Sequence, residues 1–480
     1  MAANTDANTE ANATQVSRPS NSPARTMQSG VWPDLPAALS EQAVLPEHAD
    51  YWRLRSSYMR VGTPGVVLRP RHEDEVALAI GYAGTVRGEL GTAVPFSVRS
   101  GGHGISGSST NTDGIVLDLS HLRDIELLDV QAGTFRVGAG ATWGDVAAVL
   151  TPHDLALSTG NFGDTGVGGL ATAGGVGYLA RSQGLTIDHV QRVKLATADG
   201  RVRWVDAHHE PDLFWAVRGG ATQVGIALEF EITAPRLHSS SGDAAIIHQH
   251  IQYQVSDLPA FTEAWGDWIR AAPREAESFL MIQPAGNGRA VVEARNVWAN
   301  DDTDAAIPTL QAAESLGRVL GNQAQICSYP AIIPTPRQQH TGQQRIQMRD
   351  VLVDRADAEL GAALAASLTH SATLLTELRA LGGAVSDVDA LATAWAGRHQ
   401  EVLAATWVHP RDIAAIDASF APIQALGTGM YGAYSSDTRP SAAQLTWPGE
   451  TGRKLRAVTE QADPDLLFDQ GLHLRATPTQ

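Results

Sequence analysis

Residues 99–107 of this 480-residue chain read Arg-Ser-Gly-Gly-His-Gly-Ile-Ser-Gly, and they restrict its possible folds more than any other stretch. The run before them, residues 94–98, has the composition of a β-strand. A strand is therefore expected to carry the chain into a glycine loop with His103 at its centre. Glycine reaches backbone conformations closed to other residues and lets main chain approach a ligand closely. The N–H groups of such a turn can converge on a phosphate. The candidate ligand contacts here are Arg99, Ser100, Gly101, Gly102, His103, Gly104 and Gly107.

A second glycine cluster follows. It holds Gly160, Gly166, Gly168 and Gly169, then Gly174, Gly175 and Gly177. A nicotinamide-type fingerprint needs G-x-G-x-x-G between a strand and a helix, with an acid about 20 residues on. These glycines are too many and too spread for that pattern. Two loops lining an extended pyrophosphate groove fit better than one tight turn.

Composition narrows the function classes. Lys and Arg number 35 against 52 Asp and Glu, a net charge of −17. Such a chain is not expected to bind nucleic acid or an anionic membrane, both of which select basic patches. The single cysteine, Cys327, excludes an intrachain disulfide and a four-cysteine metal site. Residues 1–30 are rich in Ala, Asn, Thr and Ser and lack the apolar run of a signal peptide, so a disordered tail is expected. No apolar run reaches the length of a membrane span, and the expectation is a soluble, cytoplasmic protein.

Along the chain, strands are expected over residues 65–70, 115–119, 134–138, 193–197 and 226–232, with a helix over 73–83. Thr142 and Asp145 have the spacing of a capping box. A Pro/Ser/Gly-rich hinge over 234–242 separates this region from one of different character. There, 246–255 alternates as a strand. Residues 279–283 and 290–294 flank a Gly-Asn-Gly turn as a hairpin. Ser256 or Asp257 caps a helix with Phe261, Trp265, Trp268 and Ile269 on one face, and residues 354–378 read as one long amphipathic helix stopped at Gly382.

With these residues in view, the chain resembles the berberine-bridge-enzyme-like oxidases of the vanillyl-alcohol-oxidase superfamily. The resemblance rests on 66–76, the 99–103 loop, 166–177 with Arg181 and 184–188, 211–220, 382–385 with 393–398, and 463–468, in that order. It implies an α+β fold: a PCMH-type FAD-binding domain and a second substrate domain built on an antiparallel sheet covered by helices. The implied division is a tail over 1–49, an FAD domain over 50–236, a substrate domain over 237–439 and a returning segment over 440–480. FAD is the implied cofactor, bonded covalently through His103, with Asp188, Gly225 and Ile226 as further contacts. Phe162 stands about where many members carry a second, cysteinyl attachment, so this chain is similar to the histidine-only subset. Family asparagines are also replaced, by His189, Gln223, Leu466 and Gly471.

The resemblance further implies an oxidoreductase that moves a hydride from a small organic substrate to flavin, with O2 as acceptor. A dehydrogenase using another acceptor and a degenerate flavin-fold binding protein or redox-neutral cyclase are the alternatives. Tyr434 is the implied catalytic base. A tyrosine titrates near 10, so it needs a cationic neighbour to serve at neutral pH. No metal site is expected: His248 and His250 share a strand face without a third ligand, and residues 301–304 read as a helix start.

Overall fold

The computed structural model describes residues 32–91, 94–335, 342 and 346–475. The tail expected over 1–30 lies outside the described residues. The N-terminal half holds two sheets. Strands β1 (Ala43–Val44), β2 (Val66–Leu68), β3 (Phe96–Arg99) and β4 (Ile115–Asp118) form the first, in the order β1-β2-β4-β3. β2, β4 and β3 run parallel. The helix Glu73–Leu90 joins β2 to β3 and buries Val76, Ala79, Ile80, Ala83 and Val86, the stripe that 3.6-residue periodicity selects.

The second sheet is antiparallel, in the order β5-β6-β9-β7-β8. Its strands are β5 (Ile125–Asp129), β6 (Thr134–Gly138), β7 (Val190–Ala196), β8 (Val202–Val205) and β9 (Ile226–Thr233). The expected capping box forms: the Thr142 hydroxyl accepts from Asp145 N–H at the start of helix Trp143–Leu150.

Beyond the hinge lies one eight-stranded antiparallel sheet. It comprises β10 (Ala245–Val255), β11 (Ala276–Pro284), β12 (Ala290–Trp298), β13 (Arg318–Ser328), β14 (Gln347–Val353), β15 (Thr373–Ala380), β16 (Val402–Val408) and β17 (Gly427–Gly429). Their spatial order is β13-β10-β12-β11-β15-β16-β14-β17. Helices cover one face, where Phe261, Trp265, Leu360, Leu364 and Phe420 pack on Ile251, Leu280, Leu378 and Val402. The opposite face meets the N-terminal half, where Phe279, Val297, Leu352 and Leu403 pack on Tyr178, Leu185 and Ile187. Period-2 alternation along each strand produces this split.

The long helix expected over 354–378 is not one element. A helix spans Ala358–Leu368, capped by Asp357, and β15 follows after a four-residue turn. Helical spacing of the leucines runs through both pieces, but Leu378 pairs with Leu280 on β11 and Ala404 on β16. Sheet pairing overrides the local pattern there.

Residues 440–475 turn back onto the N-terminal half. Leu455, Val458, Phe468 and Leu474 join its core, and Arg87 pairs with Asp469 at 2.9 Å. Among the described residues no helix is long and apolar enough to cross a membrane.

Candidate active site

β3 does deliver the chain into the glycine loop, and Arg99 ends the strand. Its guanidinium is spent on structure: Nε donates to Asp118 Oδ2 at 2.7 Å, and Nη1 reaches the Leu54 and Ser56 carbonyls. Loop 100–104 then forms one wall of a cleft of about 280 Å³ between the two halves. Ser100, Gly101, Gly102, His103, Gly104, Gly160, Gly166 and Gly169 all line it.

Most of the glycines serve the loops themselves. A Cβ on Gly166 would lie 2.0 Å from Gly101 N, and one on Gly177 would lie 1.6 Å from Thr159 O. The two loops therefore cross backbone on backbone, which only glycine permits. Gly169 is different, with nothing within 4 Å of a built Cβ. Gly107, Gly168, Gly174, Gly175, Gly177, Gly225 and Ile226 do not line the cleft. Nor does Asp188, which forms a two-point ion pair with the fully buried Arg398, at 2.7 and 2.9 Å.

His103 sits on the cleft wall with its ring stacked on Tyr58, centroids 4.9 Å apart and 13° from parallel. Its Nε2 is 3.0 Å from Asp164 Oδ1. Phe162 flanks the same ring at 6.1 Å. Burial, then the Asp164 charge, raises the Tyr58 hydroxyl above its ordinary pKa.

Tyr434 faces the same cleft as His103. Its hydroxyl donates to Glu377 Oε2 at 2.9 Å and accepts from Arg379 Nη2. The Arg379 guanidinium lies 4.2 Å from the Tyr434 ring centroid, and Nε donates to Glu377 Oε1 at 2.7 Å. Arg379 Nη1 reaches Asn161 Oδ1 at 2.9 Å, and Trp407 Nε1 donates to Glu377 Oε2 at 2.9 Å. Burial pushes the Tyr434 hydroxyl well above its usual pKa, while Arg379 pulls it back down. Arg379 is thus the cation beside the Tyr434 hydroxyl.

Sequence reasoning missed Glu377 and Arg379 because they alternate along β15, the strand absorbed into the expected helix. It also missed Trp395, Trp407 and Tyr58, which supply aromatic walls. No local pattern marks them, since they meet only in three dimensions.

A bound FAD fits this cleft on three observations. Backbone from two glycine loops lines it, the open face of Gly169 leaves room for close approach, and the buried Ser109 hydroxyl on its wall has no hydrogen-bond partner among the described residues. A family model described as "FAD binding domain" matches residues 64–206. That segment is similar to the FAD binding domain family. The chain is 32% identical to (R)-6-hydroxynicotine oxidase of Paenarthrobacter nicotinovorans over 199 residues, 41% of this chain and 42% of that protein. It is 33% identical to the FAD-dependent monooxygenase FUP4 of Fusarium proliferatum over 183 residues, 38% of this chain and 34% of that protein. The matches thus span less than half the length of these two curated relatives.

The likeness of the whole fold is broader. Physcomitrella patens BBE-like 1 superposes with a TM-score of 0.79 at 19% identity, covering 93% of this chain and 100% of that one. The 6-hydroxy-D-nicotine oxidase structure from Arthrobacter nicotinovorans superposes with a TM-score of 0.74 at 22% identity, covering 90% and 97%. The chain shares their α+β fold.

Proposed function

We propose that this protein is an FAD-linked oxidoreductase that oxidises a small organic substrate, an alcohol, sugar, amine or natural-product intermediate, with O2 as electron acceptor. One observation carries the reading: His103, Tyr434 and Arg379 face one glycine-walled cleft, with Glu377 buried behind the Tyr434 hydroxyl. Residues 50–236 with 440–480 form the cofactor half of this scheme, and 237–439 the substrate half. His103 bonds the cofactor, and Ser100, Gly101, Gly102, Gly104, Gly160, Gly166 and Gly169 present main chain to it.

When bound, the flavin supplies a hydride acceptor, chemistry that no side chain provides. The chain's residues handle the proton. Tyr434 Oη sits between a donor, Arg379, and an acceptor, Glu377. It takes the substrate O–H or N–H proton while its own proton passes to Glu377 Oε2. The Arg379 guanidinium stabilises the negative charge that builds on Oη while the two protons move in this buried site. Tyr58, Phe162, Trp395 and Trp407 exclude water and offer flat apolar faces to a ring-bearing substrate.

The test is direct. Purified protein is expected to be yellow, and the colour to stay with the acid-precipitated chain. His103→Ala should release the flavin into the acid supernatant. Anaerobic mixing with a panel of alcohols, amines and oligosaccharides should bleach the flavin, air should restore it with peroxide formed, and Tyr434→Phe should slow bleaching by about 10²-fold. A colourless chain that takes up no added FAD would overturn the proposal.

A further inference from the structure

We propose that this chain forms a two-fold homodimer by antiparallel pairing of strand β13 with β13 of a second copy.

The end strand of a sheet leaves backbone hydrogen-bonding groups unpaired, and proteins ordinarily blunt such edges with short strands or charges. Five of the six sheet ends among the described residues are blunted in this way. β1 has two residues, β3 four and β17 three. β5 has five residues and carries Glu126 and Asp129, and β8 has four and carries Arg203. β13 is the exception. It has eleven residues, pairs on one side only, with β10, and is exposed at every position from Arg318 through Ile326. It holds no proline, and its one charge is Arg318, at its first position. The ladder to β10 slips by one residue between Gln252 and Tyr253 and then runs unbroken from Gly321 to Ser328. Val319, Leu320 and Ile326 are 37%, 48% and 52% exposed, so this one strand holds three of the ten exposed large apolar side chains among the described residues. A fourth, Ile307, lies on the helix Thr303–Ala313. That helix leads to Glu314, whose carboxylate accepts from Asn322 Nδ2 on β13 at 2.9 Å.

Such an edge selects an extended segment that completes its ladder. A second copy brings one of matching length. Antiparallel pairing about a two-fold axis perpendicular to the sheet is self-complementary, and it closes, because each copy spends its long edge on the other. Pairing β13 with the far end of a neighbouring sheet would build an open filament instead, but β17 offers only three residues there. Charge favours the same contact. Each copy carries a net charge of −17, so most of its surface repels a second copy, whereas residues 319–328 carry no charge at all. The unbroken run from Gly321 to Ser328 can form about eight main-chain hydrogen bonds across the axis, within the range of a specific protein interface. Val319, Leu320 and Ile326 then lose water along the seam, and the two eight-stranded sheets become one.

Sedimentation of the full-length chain and hydrogen exchange of its amides test this together. Wild type is expected to sediment as a dimer at about 10 µM, with the amides of residues 318–328 slow to exchange throughout. Dilution to monomer should release alternate amides of the strand, because every second N–H points away from β10. Leu320→Lys combined with Ile326→Lys sets like charges on the seam and should raise the dimer Kd by about 10²-fold. Gln323→Lys combined with Gln325→Lys, on the same strand, is a second monomer-forming variant should the first fold poorly, near-UV circular dichroism being the check of fold. A wild-type chain that stays monomeric at about 100 µM would overturn the inference. So would a dimer that both lysine pairs leave intact, or a monomer whose β13 amides are all slow already, which would show another segment of the same chain on the edge.

Discussion

Asp188 separates two roles that sequence alone leaves joined, holding a cofactor and holding the fold. In the structure it meets Arg398, whose side chain is fully buried, through two hydrogen bonds of 2.7 and 2.9 Å. Arg398→Met removes one partner and leaves the carboxylate in a dry place. Stranding one half of a buried pair costs about 3–5 kcal/mol, which multiplies the unfolded fraction by roughly 10²–10⁴. The lower half of that range applies here. Asp188 keeps the Leu185 N–H at 2.9 Å, and Arg218 lies close enough to interact with its charge. Asp188→Asn alone should cost a similar amount, because the buried Arg398 charge would lose its balancing carboxylate and keep only neutral acceptors, an amide oxygen and the Thr393 hydroxyl at 3.0 Å. The double variant removes both charges and should cost at least about 2 kcal/mol less than the sum of the two singles. Urea midpoints from tryptophan fluorescence measure the cycle, and visible absorbance of the same samples measures flavin content. Single-variant costs that add to within about 0.5 kcal/mol would refute the coupling. So would an Asp188→Asn protein that loses its flavin yet keeps its urea midpoint, which would return Asp188 to the cofactor.

Three further outcomes are expected. Gly166→Ala places a methyl carbon 2.0 Å from Gly101 N and 2.1 Å from Ser100 Oγ, so the loops must part; a cost of roughly 1–3 kcal/mol in urea unfolding and a loss of bonded flavin should appear together. Glu277, buried beside Arg181, has its carboxyl pushed up to about 8, first by desolvation. The folded chain then holds a proton that the unfolded chain releases near pH 4.5, so this contribution is full below about pH 4.5 and is lost as pH rises towards about 8. Glu277→Gln should flatten the fall in stability over that window, as read from urea midpoints at several pH values. Asp257 caps helix Leu258–Ala271 by accepting from Ala260 N–H, and Asp257→Ala should cost about 1 kcal/mol by the same measurement.

What could be read from sequence was what neighbours in the chain decide. The capping box at Thr142, the β11–β12 hairpin around Gly286-Asn287-Gly288, and the strand-to-glycine-loop step at Arg99 each depend on residues a few positions apart. The failures share one cause. Residues 373–380 carry leucines at helical spacing, yet their place between β11 and β16 makes them a strand, and that strand presents Arg379 to the cleft and Glu377 to the Tyr434 hydroxyl. Misreading one element thus concealed both charged partners of Tyr434. Arg99 and Asp188 show the converse. Each is expected from sequence to contact a cofactor, and each is occupied by a partner, Asp118 or Arg398, that lies 19 or 210 positions away.

Phe468, Gln470, Gly471 and Leu472 line the cleft opposite loops built more than 300 residues earlier in the chain. A ribosome must therefore finish and release the stretch through Leu472 before the pocket has all its walls. Prosthetic-group capture is then a late event in the life of each molecule, coming after translation of the whole span. A nascent chain stalled upstream would expose the loop bearing His103 with nothing to close over it.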